Sequence, residues 1–236
     1  MKTKLQIAAA AVATLSLTAA SVSQATPTLR ISDGLNTVTV TDNGVGDTSL
    51  NLGQVNYANG SFFGWNVLVS SGVTKPIIGS ATSPALDLTF QVVRGAGSQG
   101  TLSILFSDND FNLSPAGNFG VSAGGALGNL GSPSVNVQSF YDLGNATLAL
   151  TTPLTAHLYS GQGGFSGNET GGPVGPDSSV SFTIRIDLSE PINGLASGNV
   201  DLHLNNIPEG GSMATFLGTG LLALGVLAAR RKPAHV

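Results

Sequence analysis

Alternation of apolar and polar residues runs through the middle of this chain and commits it to β structure. From Ser178 to Leu188, the side chains of Val180, Phe182, Ile184, Ile186 and Leu188 fall on one side of an extended strand. Ser181, Thr183, Arg185 and Asp187 fall on the other. The same period of two recurs in Leu86, Leu88, Phe90 and Val92, in Leu102, Ile104 and Phe106, and in Val135 and Val137. It returns in Leu148 and Leu150, and in Val200, Leu202 and Leu204. Thr37–Thr41 and Phe62–Ser70 are β-prone as well. Asp33-Gly34, Asn43-Gly44, Ser71-Gly72, Ser83-Pro84 and Gly131-Ser132-Pro133 supply turns between the strands. Roughly ten strands, each with one apolar face, need two packed sheets to hide those faces. The expected fold is all-β, a single antiparallel β-sandwich, jelly-roll-like or Greek-key, over residues 26–206. The Gly-rich stretch 159–178 is expected to be a long loop between strands.

Composition narrows the function classes. Charged residues make up 9% of the chain, where an average domain carries about 25%. Cysteine is absent, so there is neither a disulfide framework nor a thiolate zinc site. Between residues 26 and 207 twelve carboxylates face only four bases, Arg30, Lys75, Arg94 and Arg185, a formal charge of −8. Such a surface repels nucleic acid and anionic lipid and attracts cations.

The two ends differ from the body. Lys2 and Lys4 precede an apolar run from Leu5 to Ala20, and small residues stand at Ser23 and Ala25. This is the layout of a secretory signal peptide over residues 1–25, with cleavage by signal peptidase after Ala25. Near the other end, Met213 to Ala229 contains no charged residue, and Arg230, Arg231 and Lys232 follow at once. As a helix this run is about 25 Å long, at the short end for spanning a bilayer. The basic cluster is expected to stay on the cytoplasmic side and leave the body outside. Immediately upstream lies Ile207-Pro208-Glu209-Gly210-Gly211-Ser212. Pro208 resists helix and favours an extended neighbour, which suits a segment presented to a protease.

This three-part tail, residues 207–236, resembles the PEP-CTERM sorting signals of bacterial proteins. Ile207 stands where their consensus has Val, and Gly210 where it has a second Pro. The resemblance implies processing by an exosortase-type transpeptidase that reads Pro208, Glu209 and Gly210. It also implies a transient anchor in the inner membrane through helix 213–229, followed by release to the cell surface or extracellular space. The layout running from Leu29-Arg30-Ile31-Ser32-Asp33-Gly34 to Ser83-Pro84-Ala85-Leu86-Asp87-Leu88 is similar to that of body domains in the same group. No activity comes with that likeness.

Few residues point to chemistry. Gly95-Ala96-Gly97-Ser98-Gln99-Gly100 matches a dinucleotide fingerprint, but a strand follows it instead of the helix whose N-terminus would hold the pyrophosphate. His203 lies on the polar side of its strand. Asp108-Asn109-Asp110 gathers oxygen donors in a turn, so Asp108 and Asp110 are the candidate calcium ligands; equally, Asp and Asn are ordinary turn residues. Trp65 is expected to pack in the core, with stacking on a sugar ring as the alternative. The expected function is that of an exported structural or adhesive protein of the cell surface or extracellular matrix. It is expected to have no catalytic activity and no cofactor, with extracellular polysaccharide as a partner and nucleic acid excluded. A carbohydrate- or calcium-binding surface module is the alternative. A secreted hydrolase using Asp87, Asp108, Asp110 or Asp187 is a third reading.

Overall fold

The computed structural model describes residues 25–128 and 130–205. Most of the signal peptide, the motif Pro208-Glu209-Gly210, helix 213–229 and the cluster Arg230, Arg231 and Lys232 lie outside the described residues. Twelve strands make up the body: β1 (Thr28–Ser32), β2 (Thr37–Thr41), β3 (Gln54–Phe62), β4 (Trp65–Val73), β5 (Ala85–Arg94), β6 (Thr101–Leu113), β7 (Gly117–Leu127), β8 (Ser134–Asp142), β9 (Thr152–Ser160), β10 (Gly163–Val174), β11 (Asp177–Ser189) and β12 (Leu195–Asn205). No helix occurs among the described residues. One sheet runs β2-β1-β6-β11-β8-β9 and the other β10-β7-β12-β5-β4-β3, with every pairing antiparallel.

The last eight strands pair as a nested hairpin. β5 pairs with β12, β6 with β11, β7 with β10 and β8 with β9. Successive pairs fall in alternate sheets, so the hairpin is wound around the core in the manner of a jelly roll. The β1–β2 hairpin extends one sheet beyond β6, and the β3–β4 hairpin extends the other beyond β5.

The alternation now has its physical cause. Val180, Phe182, Ile184, Ile186 and Leu188 of β11 are fully buried between the sheets, as are Leu88 and Val92 of β5 and Val200 and Leu202 of β12. Phe119 of β7 and Phe182 of β11 meet across the gap with ring centroids 4.4 Å apart, within stacking range. Gly72 of β4 faces the ring of Phe106 on β6 so closely that a Cβ there would collide with it. The sheets touch at that point because the side chain is missing.

Three local expectations are corrected. Residues 163–174 form strand β10, paired along β7, instead of continuing a loop. Ser71-Gly72 lies inside β4 and is not a turn, whereas the turn in that region is Phe63-Gly64, with φ of 45° and 88°. Leu148 and Leu150 belong to a segment outside the strands, residues 143–151. This segment lies over the outer face of the β1–β6–β11 sheet. Asp142 fixes its two ends, accepting from Ala146 N–H at 2.9 Å and from Thr151 Oγ1 at 2.8 Å. These bonds hold the Asp142 carboxyl below its ordinary range. Ser181 donates to the Ala146 carbonyl at 2.6 Å.

Candidate functional site

The partial cover leaves a groove on that outer face. Strands β1, β6 and β11 are neighbours, and their register aligns Arg30 with Leu105 and Leu105 with Arg185. The next outward row aligns Ser32, Ser103 and Asp187. All six side chains border a cavity of about 490 Å³, closed at its margins by Leu150 and by the Asp33-Gly34 turn. Leu105 is 3% exposed and forms an apolar floor between the two guanidinium groups.

The polar groups of the groove fall into two classes. The acceptors are occupied. Asp33 takes N–H bonds from Leu35 at 2.9 Å and from Asn36 at 2.6 Å, and a further bond from the Asn36 amide. Desolvation opposes these bonds, but together they hold its carboxyl below the ordinary range. Asp187 accepts from Ser103 Oγ at 2.7 Å and from Arg185 Nε at 2.9 Å. The donors are open. Arg185 uses only Nε in these contacts, leaving its terminal nitrogens, and the Arg30 side chain makes no hydrogen bond or ion pair with any described residue.

The candidate calcium ligands lie elsewhere, at the end of β6. Asp108 is fully buried. Its Oδ2 receives the Lys75 ammonium at 2.7 Å and Thr74 Oγ1 at 3.0 Å, and its Oδ1 receives the Asn109 N–H at 2.8 Å. Lys75 also donates to the Asn109 carbonyl and sits 3.5 Å from the centroid of Phe111, a cation–π contact. Burial pushes the Asp108 carboxyl up and the Lys75 ammonium down, and their mutual attraction opposes both shifts. Asp108 is thus paired with an ammonium. Asp110 bonds Asn145 instead: Asn145 Nδ2 donates to Asp110 Oδ1 at 2.6 Å, and Asp110 N–H donates to Asn145 Oδ1 at 2.8 Å. Ala25, at the start of the described chain, lines a second cavity of about 440 Å³ with Asp42, Lys75 and Asp110.

Trp65 is corrected as a stacking candidate. It is fully buried in the core, and its indole N–H donates to the Gln99 carbonyl at 3.2 Å. No ring face is left for a sugar. The four carboxylates named for hydrolysis do not converge either. Asp187 is on one outer face, and Asp87 is on the outer face of the other sheet, directly opposite Asp201 in the β5–β12 ladder. Burial, then the hydrogen bond and charge of Asp87, push the Asp201 carboxyl up to about 6. Carboxyls in hydrogen-bond contact are closer than the roughly 5 Å that separates a retaining glycosidase pair. Asn199 Nδ2 donates to Asp87 Oδ2 at 2.6 Å and completes this polar patch.

Arg30 and Arg185 were not singled out from sequence as site residues. The usable signal was the scarcity of cations in the body combined with two of them at outward positions of alternating strands. Their alignment required the long-range pairing of β1 with β6 and β6 with β11.

No protein-family model and no curated protein matches this chain. Among solved structures it is similar to TmCBM61 in complex with beta-1,4-galactotriose, with a TM-score of 0.31 and 10% identity over 68% of this chain and 92% of that one. It is also similar to the enzymatically active domain of tailspike protein 4 of bacteriophage CBA120, with a TM-score of 0.29 and 14% identity over 63% of this chain. The match spans 21% of the tailspike chain.

Proposed function

We propose that this chain is an exported structural or adhesive module of the cell surface or extracellular matrix, and that it holds polysaccharide in the groove of the β1–β6–β11 face. The observation that carries this reading is the groove itself: apolar lining from half-buried Leu150, with Leu105 almost wholly buried at its bottom, edged by open guanidinium donors. A sugar ring presents an apolar C–H face and a rim of oxygens, and this groove complements both. The module performs no reaction of its own. The tail at 207–236 acts as a substrate for an exosortase-type transpeptidase, which sets the module free beyond the inner membrane.

Two measurements test this. Affinity electrophoresis of the full chain in detergent, through gels containing soluble polysaccharides, is expected to show retardation by at least one of them. Thr101→Trp, which fills the groove from an exposed position, is expected to abolish that retardation. Retardation unchanged by this substitution removes the groove from the reading. Separately, the intact mass of the protein from its native host is expected to place the C-terminus within 207–212; a C-terminus at Val236 overturns the sorting step.

A further inference from the structure

We propose that the groove selects acidic polysaccharide, with Arg30 and Arg185 binding the carboxylates of uronic acid residues. This rests on the reading of the groove as a glycan site and adds the chemical class of the glycan.

The case begins with the distribution of cations. Four bases serve the whole body. Lys75 is held by Asp108, by the Asn109 carbonyl and by the face of Phe111. Arg94 donates from Nε to Ser98 Oγ at 3.1 Å and from Nη1 to the Glu190 carbonyl. Both of these charges are engaged in fixing the fold. The remaining two, Arg30 and Arg185, face the same groove, in the same row, on either side of Leu105. In a body of net charge −8, this is where open positive charge is concentrated.

The hydrogen-bonding character of the groove then chooses between ligands. A neutral sugar offers hydroxyls, which both donate and accept. The carboxylates that would accept from them, Asp33 and Asp187, already take bonds from backbone N–H groups, from Ser103 and from Arg185. The charged groups that remain open are donors: the whole Arg30 guanidinium and the terminal nitrogens of Arg185. Beside them the exposed Thr101 hydroxyl both donates and accepts. An ionised carboxylate is acceptor-only, and it matches the guanidinium fork in a bidentate manner. The geometry fits a chain of such groups. Arg30 and Arg185 sit two strand spacings apart, about 10 Å along the sheet, close to the repeat of a disaccharide unit. Leu105 lies midway between them, at the bottom of the groove.

The test uses the full chain in detergent with three oligomers of equal length. These are an oligogalacturonate, the same oligomer with its carboxyls reduced to alcohols, and a sulfated neutral oligomer. Affinities are read by titration calorimetry. The oligogalacturonate is expected to bind about tenfold or more tighter than its reduced form, since one charge-assisted pair corresponds to about that factor. Arg30→Gln is expected to remove most of this difference, and Arg30→Lys to keep part of it, because the charge stays and the fork is lost. Added salt should weaken the acidic oligomer alone.

Equal binding of the acidic and reduced oligomers, untouched by Arg30→Gln, overturns acid selectivity and leaves the groove as a neutral glycan site. Sulfate bound as tightly as carboxylate with the same arginine dependence overturns the uronate assignment. Loss of binding to every glycan tried, neutral ones included, overturns the glycan reading itself. An unchanged melting temperature for Arg30→Gln shows that any lost affinity comes from the site and not from unfolding.

Discussion

Lys75 and Arg30 carry the same charge into two very different surroundings. The Lys75 side chain is 13% exposed, and its ammonium finds a carboxylate, a carbonyl and an aromatic face within its own chain. Arg30 is half-buried on an outer sheet face and finds no partner among the described residues. An ammonium withdrawn from water requires such a full set of acceptors, so the charge of Lys75 is spent on tying the segment after β4 to the end of β6. The Arg30 guanidinium keeps its water and its donors. The contrast separates cations that hold the sandwich together from cations left available for something outside it. Nearby acceptors, more than charge or sequence context, decide which is which.

The closed region should respond to mutation as architecture. Trp65 belongs to it, and Trp65→Ala is expected to cost about 3–5 kcal/mol, as for other large aromatic truncations in a core. Thermal unfolding followed by circular dichroism measures this. A small shift accompanied by lost glycan binding would put Trp65 back among the ligand-contacting residues. Lys75→Ala comes next, at about 3 kcal/mol, because it leaves the Asp108 carboxylate buried with only Thr74 and a backbone N–H for company. The paired change Lys75→Met with Asp108→Leu is expected to recover most of the loss, since it removes both charges together. A single variant as stable as the parent would dissolve the distinction between the two cations.

How much of this was readable beforehand depended on whether side chains or neighbours dictate the local structure. β5, β11 and β12 were legible because each packs large apolar residues on one face and polar residues on the other, and burial reads directly as alternation. β7 and β10 were not. Their sequences, with Gly124, Gly125, Gly163, Gly164 and Gly167, leave little alternation to read. Gly125 and Gly198 face each other in the β7–β12 ladder, and an added Cβ on either would meet the backbone of the paired strand first and then a ring, Phe165 or Phe90. These positions are small because a neighbouring strand and a ring take the space, which is a tertiary fact. Leu148 and Leu150 failed in the opposite sense: their spacing imitates a strand, yet Leu148 has φ of 59° and the segment serves as a cover. At the candidate site, Asp108 stands out as an oxygen ligand, but nothing local signals that Lys75, far away along the chain, arrives at it. The groove depended on the same long-range pairing.

Two carboxyls that do not line the groove offer a pH-dependent contrast with it. Asp201 is pushed up to about 6 and Glu190, fully buried with neither oxygen hydrogen-bonded, up to about 7. A carboxyl raised in the folded state favours the native fold while it is protonated there and already ionised in the unfolded chain. That contribution is complete only at low pH and is lost as pH rises through the folded value. The melting temperature is therefore expected to fall between pH 5 and pH 8. Asp33 and Asp142, both lowered, act in the opposite direction but below this window, at more acidic pH. Asp201→Asn keeps a hydrogen-bonding partner for Asp87 without the second charge, and should raise the melting temperature at pH 8 by about 2–4 °C. An unchanged pH slope in that variant would show that the two carboxyls do not share a proton.

The smallest expected effect discriminates most. Arg30→Gln removes a charge but breaks no side-chain hydrogen bond or ion pair with any described residue, so its unfolding free energy should stay within about 0.5 kcal/mol of the parent, as for an ordinary surface position. Arg185→Gln provides an internal control, because it also releases Asp187 from one of its donors. It should cost slightly more than Arg30→Gln, within the about 1 kcal/mol typical of exposed ion pairs. Both are read from chemical denaturation midpoints at fixed pH and ionic strength. A guanidinium whose loss leaves the fold intact has no architectural reason to sit half-buried in a sheet face beside an apolar floor. If Arg30→Gln instead destabilises the protein as strongly as Lys75→Ala, the two cations are the same kind of residue, and the groove is a feature of the fold with no claim on a ligand.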